Sequence, residues 1–168
     1  MNNNTLLNPG PAELPGAAMD RVVAVEPGDK SGAVIFRRSA DGESVTREEV
    51  PFQPWILTAG TELAASVAGH CAVEELRGNG AFRAKVLFPD WKSWEAGGKI
   101  LKKLTGASPS SPLAPYRIIN DPVQQIMTSL GIRLFRGMDF GEMRRMQLDI
   151  ETRSSVPGKF CDALNPDD

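Results

Sequence analysis

The sequence predicts an α+β fold in which a mixed, β-rich amino-terminal domain precedes the first strand or strands of a second domain. Short apolar runs separated by turn residues dominate the chain up to residue 58. After them, two further strand patterns are followed by a helical pattern, so that helices do not alternate with every strand. A third strand-rich signal comes at residues 146–152, where polar and apolar residues alternate.

The opening segment is expected to form a β-meander. Turn signals at Pro27-Gly28-Asp29 and at Asp41-Gly42 separate its apolar runs. Prolines at positions 51 and 54 interrupt the chain before the last run, because proline cannot donate to a strand ladder. The predicted strands are residues 21–25, 33–37, 45–50 and 55–58.

The middle of the chain is expected to be β-β-α. A short helix is predicted over residues 62–68, and strands over 73–77 and 81–88 surround the hairpin signal Gly78-Asn79-Gly80. Asp90 can cap a helix over residues 91–104, because an aspartate before a helix accepts from its free N–H groups. Trp94, Leu101 and Leu104 recur at helical spacing.

Residues 106–115 are rich in Ser, Pro and Gly and are predicted to be a linker. A strand over residues 116–119 follows it. Asp121-Pro122 then starts a helix that ends at Gly131. Short strands are predicted over residues 133–135 and 146–152. The domain assignment is a disordered leader (1–18), an amino-terminal α+β domain (19–105), the linker, a returning segment of that domain (116–145) and an incomplete second domain (146–168).

The net charge of −2 argues against a uniformly basic nucleic-acid-binding protein. The charge is nevertheless uneven: residues 71–105 carry a balance of +3 and residues 147–168 a balance of −3. A basic middle and an acidic end would suit contacts with a phosphate backbone next to a metal site. No apolar run has the roughly 18 residues that a membrane span needs, and no secretory signal is present. A cytoplasmic protein without membrane contact is expected.

The residues that carry chemistry lie in the heptad Met146-Gln-Leu-Asp-Ile-Glu-Thr152. Side chains alternate along a strand, so Asp149 and Glu151 would share one face while Leu148 and Ile150 point into a core. Paired carboxylates can hold hard divalent cations, and Mg²⁺ or Mn²⁺ in a two-metal site is the expected cofactor. By itself the Asp-x-Glu pattern is more typical of a solvated strand face.

The full heptad resembles the first exonuclease motif of family B DNA polymerases, an apolar run followed by Asp-Ile-Glu-Thr. Upstream, Pro51-Phe-Gln-Pro-Trp55 is similar to the Phe-x-Pro-Tyr segment of that family's amino-terminal domain, with Trp55 in place of tyrosine. The arrangement of residues 116–139 is similar to the segment that returns toward the exonuclease. The resemblance covers most of residues 19–165, and most strongly the last third.

This resemblance implies an RNase H-like 3'–5' exonuclease domain after the template-binding amino-terminal domain, and then a polymerase that uses deoxynucleotides. Asp149 and Glu151 match the catalytic metal ligands of the first of three exonuclease motifs. Asp162, Asp167 and Asp168 match none. The resemblance thus supplies only half of the ligands, and this stretch alone is expected to be inactive. DNA, as template, primer and single-stranded 3' end, is the expected partner, and a sliding clamp is a further, unsupported possibility.

Other candidate nucleic-acid-binding residues are Arg136, Arg144 and Arg145 for phosphates and Trp91 for base stacking. A solvated basic surface explains the arginines equally well, and Trp94 is better explained as a core residue. Two other functions remain open. One is a stand-alone 3'–5' exonuclease of the same superfamily, which would lack the downstream palm motifs. The other is a non-catalytic nucleic-acid-binding module, which would bind no metal.

Overall fold

The computed structural model describes residues 14–143, which form an α+β arrangement of two antiparallel sheets and three α-helices. The chain divides into two compact units, Met1–Met138 and Asp139–Asp168. In the second unit, the described residues form a 3-10 helix, Phe140–Glu142, that Asp139 and Glu142 close with a capping box. The predicted α+β class is confirmed, while the predicted strand over residues 146–152 lies outside the described residues.

The first sheet is a meander of β1 (Val22–Pro27), β2 (Ala33–Arg38) and β3 (Val45–Val50). Ile35 pairs with Val25 on one side and with Glu48 on the other, and an irregularity between Val22 and Ala24 interrupts the first ladder. The strands predicted over residues 21–25, 33–37 and 45–50 are thus confirmed within one or two residues at each end.

The second sheet has the strand order β5–β6–β4–β7. Its members are β4 (Trp55–Thr58), β5 (Ala72–Glu75), β6 (Ala84–Leu87) and β7 (Tyr116–Arg117). The expectation that β4 continues the opening meander is therefore wrong. Pro51 and Pro54 lie between β3 and β4, and because proline has no N–H they favour a break in the ladder at this point.

Both faces of the second sheet are covered, because neighbouring residues of a strand point to opposite sides. Trp55 pairs with Leu87, and both belong to a hydrophobic cluster with β1 and β2 residues and Ile126. Ile56 pairs with Val86, and both belong to a second cluster that also includes Leu101. The sheet therefore separates two hydrophobic clusters within the first unit.

Helices α1 (Thr61–Ala65), α2 (Trp91–Thr105) and α3 (Pro122–Leu130) follow β4, β6 and β7. The predicted starts of α2 and α3 are confirmed: the Asp90 carboxylate accepts from the Ser93 N–H, and the Asp121 carboxylate accepts from the Val123 N–H. Gly106 and Gly131 end these helices in the left-handed conformation that glycine adopts without strain. Helix α1 is shorter than predicted.

The strand predicted over residues 133–135 is wrong. Residues 134–137 form a turn in which Phe135 has a φ of 61°, which is incompatible with a strand. The Phe135 N–H donates to the Val22 carbonyl at 2.8 Å, so the turn is attached to β1 by its backbone.

Leu104 also differs from expectation, because it is 56% exposed while Trp94 and Leu101 are buried.

Residues 106–115, the predicted linker, contain no helix or strand but contact the core. Ala114 is buried in the cluster with Ile56. The Tyr116 hydroxyl donates to the Ala107 carbonyl at 2.7 Å, and burial raises the pKa of this phenol, so it stays protonated at neutral pH. Within the described range of 14–143, no helix has the length and apolar character needed to cross a membrane.

Candidate nucleic-acid interface

The predicted metal ligands Asp149 and Glu151, and the predicted phosphate contacts Arg144 and Arg145, lie outside the described residues. Their roles therefore stay predictions. Between residues 14 and 143 there is no group of three or more His, Cys, Asp or Glu side chains that could hold a metal ion. The described residues therefore contain no metal centre of that kind.

Arg136 joins the turn after α3 to the segment before β1. Its Nε lies 3.0 Å from the Asp20 carboxylate, and a second guanidinium nitrogen donates to the Ala17 carbonyl. The side chains of Arg136 and Asp20 are 45% and 53% exposed, so this ion pair contributes at most about 1 kcal/mol to stability. Asp20 is thus an ion-pair partner of Arg136 within the fold. Contact of Arg136 with phosphates stays a prediction.

The segment that Arg136 holds includes the described part of the predicted leader. Leu14–Ala18 form a turn in which the Gly16 N–H donates to the Leu130 carbonyl at 2.7 Å. Gly16 is buried, and a Cβ atom at this position would lie 2.5 Å from Ile132 Cγ1. The absence of a side chain at Gly16 therefore permits this close approach to the end of α3.

Trp91 lies at the start of α2 and is partly buried. Its ring stacks on Phe52, with centroids 5.8 Å apart and planes at 27°, and meets Trp94 edge-on at 5.6 Å. It packs against both hydrophobic clusters of the first unit, and its indole N–H has no hydrogen-bond partner among the described residues. The ring thus has a packing role, while base stacking by Trp91 stays a prediction.

Helix α2 presents a basic face that contributes to the positive charge balance of residues 71–105. The sequence pattern alone did not predict a site there. The buried residues Trp94, Gly97 and Leu101 define its inner side. Its four lysines are exposed and form no salt bridge in residues 14–143: Lys92, Lys99, Lys102 and Lys103. The charge of Lys92 nevertheless acts on Asp90. Unpaired lysines on one helix can contact successive phosphates without reading the bases.

An apolar groove of about 230 Å³ runs beside this basic face. Trp94, Gly98 and Ile118 line its apolar part, and Lys99 and Lys102 line its polar part. Gly98 makes the close approach to Ile118 possible, because a Cβ atom there would lie 2.9 Å from Ile118 Cδ1. Glu95 also lines this groove, so the two lysines border an apolar surface together with one carboxylate.

The Asp90 carboxylate caps the helix that carries this basic face. The N–H of Ser93 donates to it at 2.6 Å, and this hydrogen bond is the main cause that lowers its pKa below the ordinary value of 3.8. Asp90 is therefore ionised at neutral pH and offers its charge to the positive end of the helix. The lysines follow from the first turn of α2 to its last.

Comparison with known proteins provides no relative of this chain. No family model, no curated protein and no solved structure matches it.

Proposed function

We propose that this chain is the amino-terminal part of a family B DNA-directed DNA polymerase, with a template-binding domain and the first metal-binding motif of a 3'–5' proofreading exonuclease. The observation that carries the proposal is the heptad Met146–Thr152, in which Asp149 and Glu151 are separated by one apolar residue. In an extended strand this spacing places both carboxylates on one face. The second domain is then the start of an RNase H-like exonuclease.

The chemistry proposed for Asp149 and Glu151 is metal-assisted hydrolysis of a phosphodiester. Asp149 and Glu151 would hold Mg²⁺ or Mn²⁺ ions in a two-metal site, and this site would supply activation of a water molecule and stabilisation of charge on the leaving oxygen. Water adds to phosphorus, the bond to the 3' oxygen breaks, and that oxygen takes up a proton as the terminal nucleotide leaves. The remaining carboxylate ligands would come from the other motifs of a complete exonuclease domain.

The described part of the chain supports the DNA-binding half of this proposal. Helix α2 carries Lys92, Lys99, Lys102 and Lys103 exposed and without a salt bridge in residues 14–143, although Asp90 and Glu95 are near them on the same helix. Such a face suits sequence-independent contacts with a template backbone. The amino-terminal domain would hold DNA while the exonuclease and polymerase act on its 3' end. Association with the nucleoid follows from the same proposal.

The decisive experiment uses the natural full-length protein and a 5'-labelled single-stranded oligonucleotide. We expect cleavage from the 3' end that requires Mg²⁺ or Mn²⁺ and that is abolished by Asp149→Ala or Glu151→Ala. Asp162→Ala, an acidic residue in the same region without a proposed metal role, is the matched control and should keep full activity. Absence of metal-dependent cleavage in the wild-type protein would overturn the proposal.

A stand-alone exonuclease and a non-catalytic module are the two alternatives, and each predicts a different result. Primer extension with deoxynucleotides in the same full-length protein distinguishes the polymerase from a stand-alone exonuclease. The basic face of α2 specifically favours the module, because it needs no metal to bind a phosphate backbone. DNA binding that is insensitive to Mg²⁺ and to Asp149→Ala, with neither cleavage nor extension, would support the module.

A further inference from the structure

The turn over residues 133–137 contains a strained aromatic residue. Phe135 has a φ of 61°, a conformation in which the Cβ of a bulky residue crowds its own backbone. Two backbone hydrogen bonds hold the turn on β1: Phe135 N–H to the Val22 carbonyl at 2.8 Å, and Arg21 N–H to the Arg136 carbonyl at 2.7 Å. The attachment uses backbone atoms and does not require a phenyl ring at position 135.

Packing explains the phenyl ring only in part. Phe135 is 41% exposed and Leu134 is 36% exposed, and neither belongs to the two hydrophobic clusters. Arg21 provides the contrast, because it also has a positive φ, of 60°, yet its Nε donates to the carbonyls of Arg38 and Ser39. The conformation of Arg21 is therefore supported by its side chain, whereas that of Phe135 is supported through backbone atoms.

The neighbours of Phe135 in the chain include two arginines that line a depression. Arg133 is exposed, and within residues 14–143 it has no ion pair. Arg133 and Arg136 line an open depression of about 580 Å³ together with Thr128 and Ile132. An exposed aromatic ring and a guanidinium without an ion pair in residues 14–143 thus lie two residues apart in the chain. These two groups suit a nucleic-acid strand, because a ring can stack on a base and a cation can neutralise a phosphate.

We propose that the 133–137 turn is a contact for single-stranded DNA, in which Phe135 stacks on a base and Arg133 contacts the adjacent phosphate. This inference rests on the proposed DNA-binding function. It adds that the bound DNA is single-stranded and that Phe135 and Arg133 contact it. Because Phe135 is 41% exposed and lies outside both hydrophobic clusters, part of its ring surface is available for stacking on a base. Stacking of this kind tolerates any base sequence, because every base has a π-face.

The test separates strain from binding by changing residue 135 in the 168-residue chain. Phe135→Gly removes the ring and relieves the positive φ, and Phe135→Asn is a second variant suited to the same conformation. Both should unfold at the wild-type temperature or above, yet bind fluorescent oligo(dT) about tenfold more weakly. Phe135→Trp should restore binding, and Leu113→Ala, at a residue that is 91% exposed in another loop, is the control for loss of an exposed apolar side chain.

Three outcomes are distinguished in these titrations. Weaker binding for Phe135→Gly and Phe135→Asn, with Phe135→Trp near wild type, supports the inference. Wild-type binding by both ring-deleted variants overturns it and leaves the proposed function intact. Failure of the wild-type chain itself to bind oligo(dT) overturns the inference together with the DNA-binding half of the proposed function. Arg133→Gln should in addition reduce the slope of log affinity against log salt by about 0.7, the value for one phosphate contact on a single strand.

Discussion

The side-chain amide of Gln125 satisfies the backbone of Trp55, seventy positions away in sequence. Gln125 Oε1 accepts from the Trp55 N–H at 2.8 Å, and its Nε2 donates to the Ile119 carbonyl at 3.3 Å. Gln125 is fully buried, so water does not compete for these bonds. Helix α3 is thereby joined to the start of β4 by a polar contact inside an apolar cluster.

Gln125→Met tests this contact, since methionine has a similar shape but no polar amide. The variant leaves the Trp55 N–H and the Ile119 carbonyl without their partner, which we expect to cost about 2 kcal/mol of unfolding free energy. For a chain of this size, Tm should fall by about 4–8 °C. Gln124→Met at the exposed neighbouring position is the control and should leave Tm unchanged, and equal Tm values for both variants would contradict the role given to Gln125.

The two adjacent glycines of α2 should respond oppositely to alanine. A Cβ atom at Gly97 would lie 2.6 Å from two ring carbons of fully buried Phe88, which cannot move away. At Gly98 the close atom is Ile118 Cδ1, the end of a flexible side chain. For Gly97→Ala, the cost of overpacking should exceed the gain in helix propensity. The net loss of unfolding free energy should be about 1 kcal/mol.

Gly98→Ala should instead be neutral or stabilising by up to about 1 kcal/mol, because alanine favours the helix and Ile118 can rotate. Urea unfolding midpoints of the two variants measure the difference. Similar midpoints would show that Phe88 has room that the structure does not indicate.

The Asp90 cap should make the stability of α2 depend on pH. Because hydrogen bonding lowers the pKa of Asp90 below 3.8, its contribution is complete above pH 3.8 and is lost as the pH falls through the lower value of the folded state. We expect Asp90→Ala to lower Tm by about 2–4 °C at pH 7. The difference from wild type should shrink in acid.

Asp90→Asn is the control for the charge at this position, because asparagine keeps an accepting oxygen but does not titrate. Its urea midpoint should approach that of the wild type below pH 3.8 and lie below it at neutral pH. A gap between wild type and Asp90→Ala that stays constant from pH 7 to pH 3 would contradict a contribution from the ionised carboxylate.

Removing charge from the basic face of α2 should weaken DNA binding in a salt-dependent way. For the double variant Lys99→Gln/Lys103→Gln we expect the slope of log affinity against log salt to fall by up to about 1.4, which corresponds to two phosphate contacts on a single strand. Fluorescence anisotropy with a labelled oligonucleotide at several salt concentrations measures this slope. Lys85→Gln is the control, because Lys85 already pairs with Glu74 at 3.2 Å. A slope that is unchanged in the double variant would exclude α2 from the interface.

The helix boundaries could be predicted because their determinants are local. Asp90 and Asp121 accept from N–H groups two or three residues later, and Gly106 and Gly131 adopt positive φ at the opposite ends. These bonds involve neighbours in the chain, so residue types and spacing are enough to predict them.

The division of the strands between two sheets and the conformation of Phe135 could not be predicted in the same way. The partner of β4 is β6 rather than β3, and that choice depends on how Trp55 and Leu87 pack in a cluster with α3. Phe135 follows Arg133 and Leu134 in a short apolar pattern that favours a strand, and its left-handed conformation follows from the bond to Val22. Neither the pairing of β4 with β6 nor the hydrogen bond between Phe135 and Val22 can be predicted from the neighbouring residues in the sequence.

The sequence by itself therefore determined the α+β class, the capped helices and the Asp149-Ile150-Glu151 pattern on which the proposed nuclease rests. Only the tertiary structure decided which strands share a sheet, that Gln125 joins α3 to Trp55, and that Phe135 is exposed in a strained turn. The physical reason is range: caps, turns and strand alternation depend on neighbouring residues, whereas burial and strand pairing depend on residues far apart in the chain that meet only when it folds.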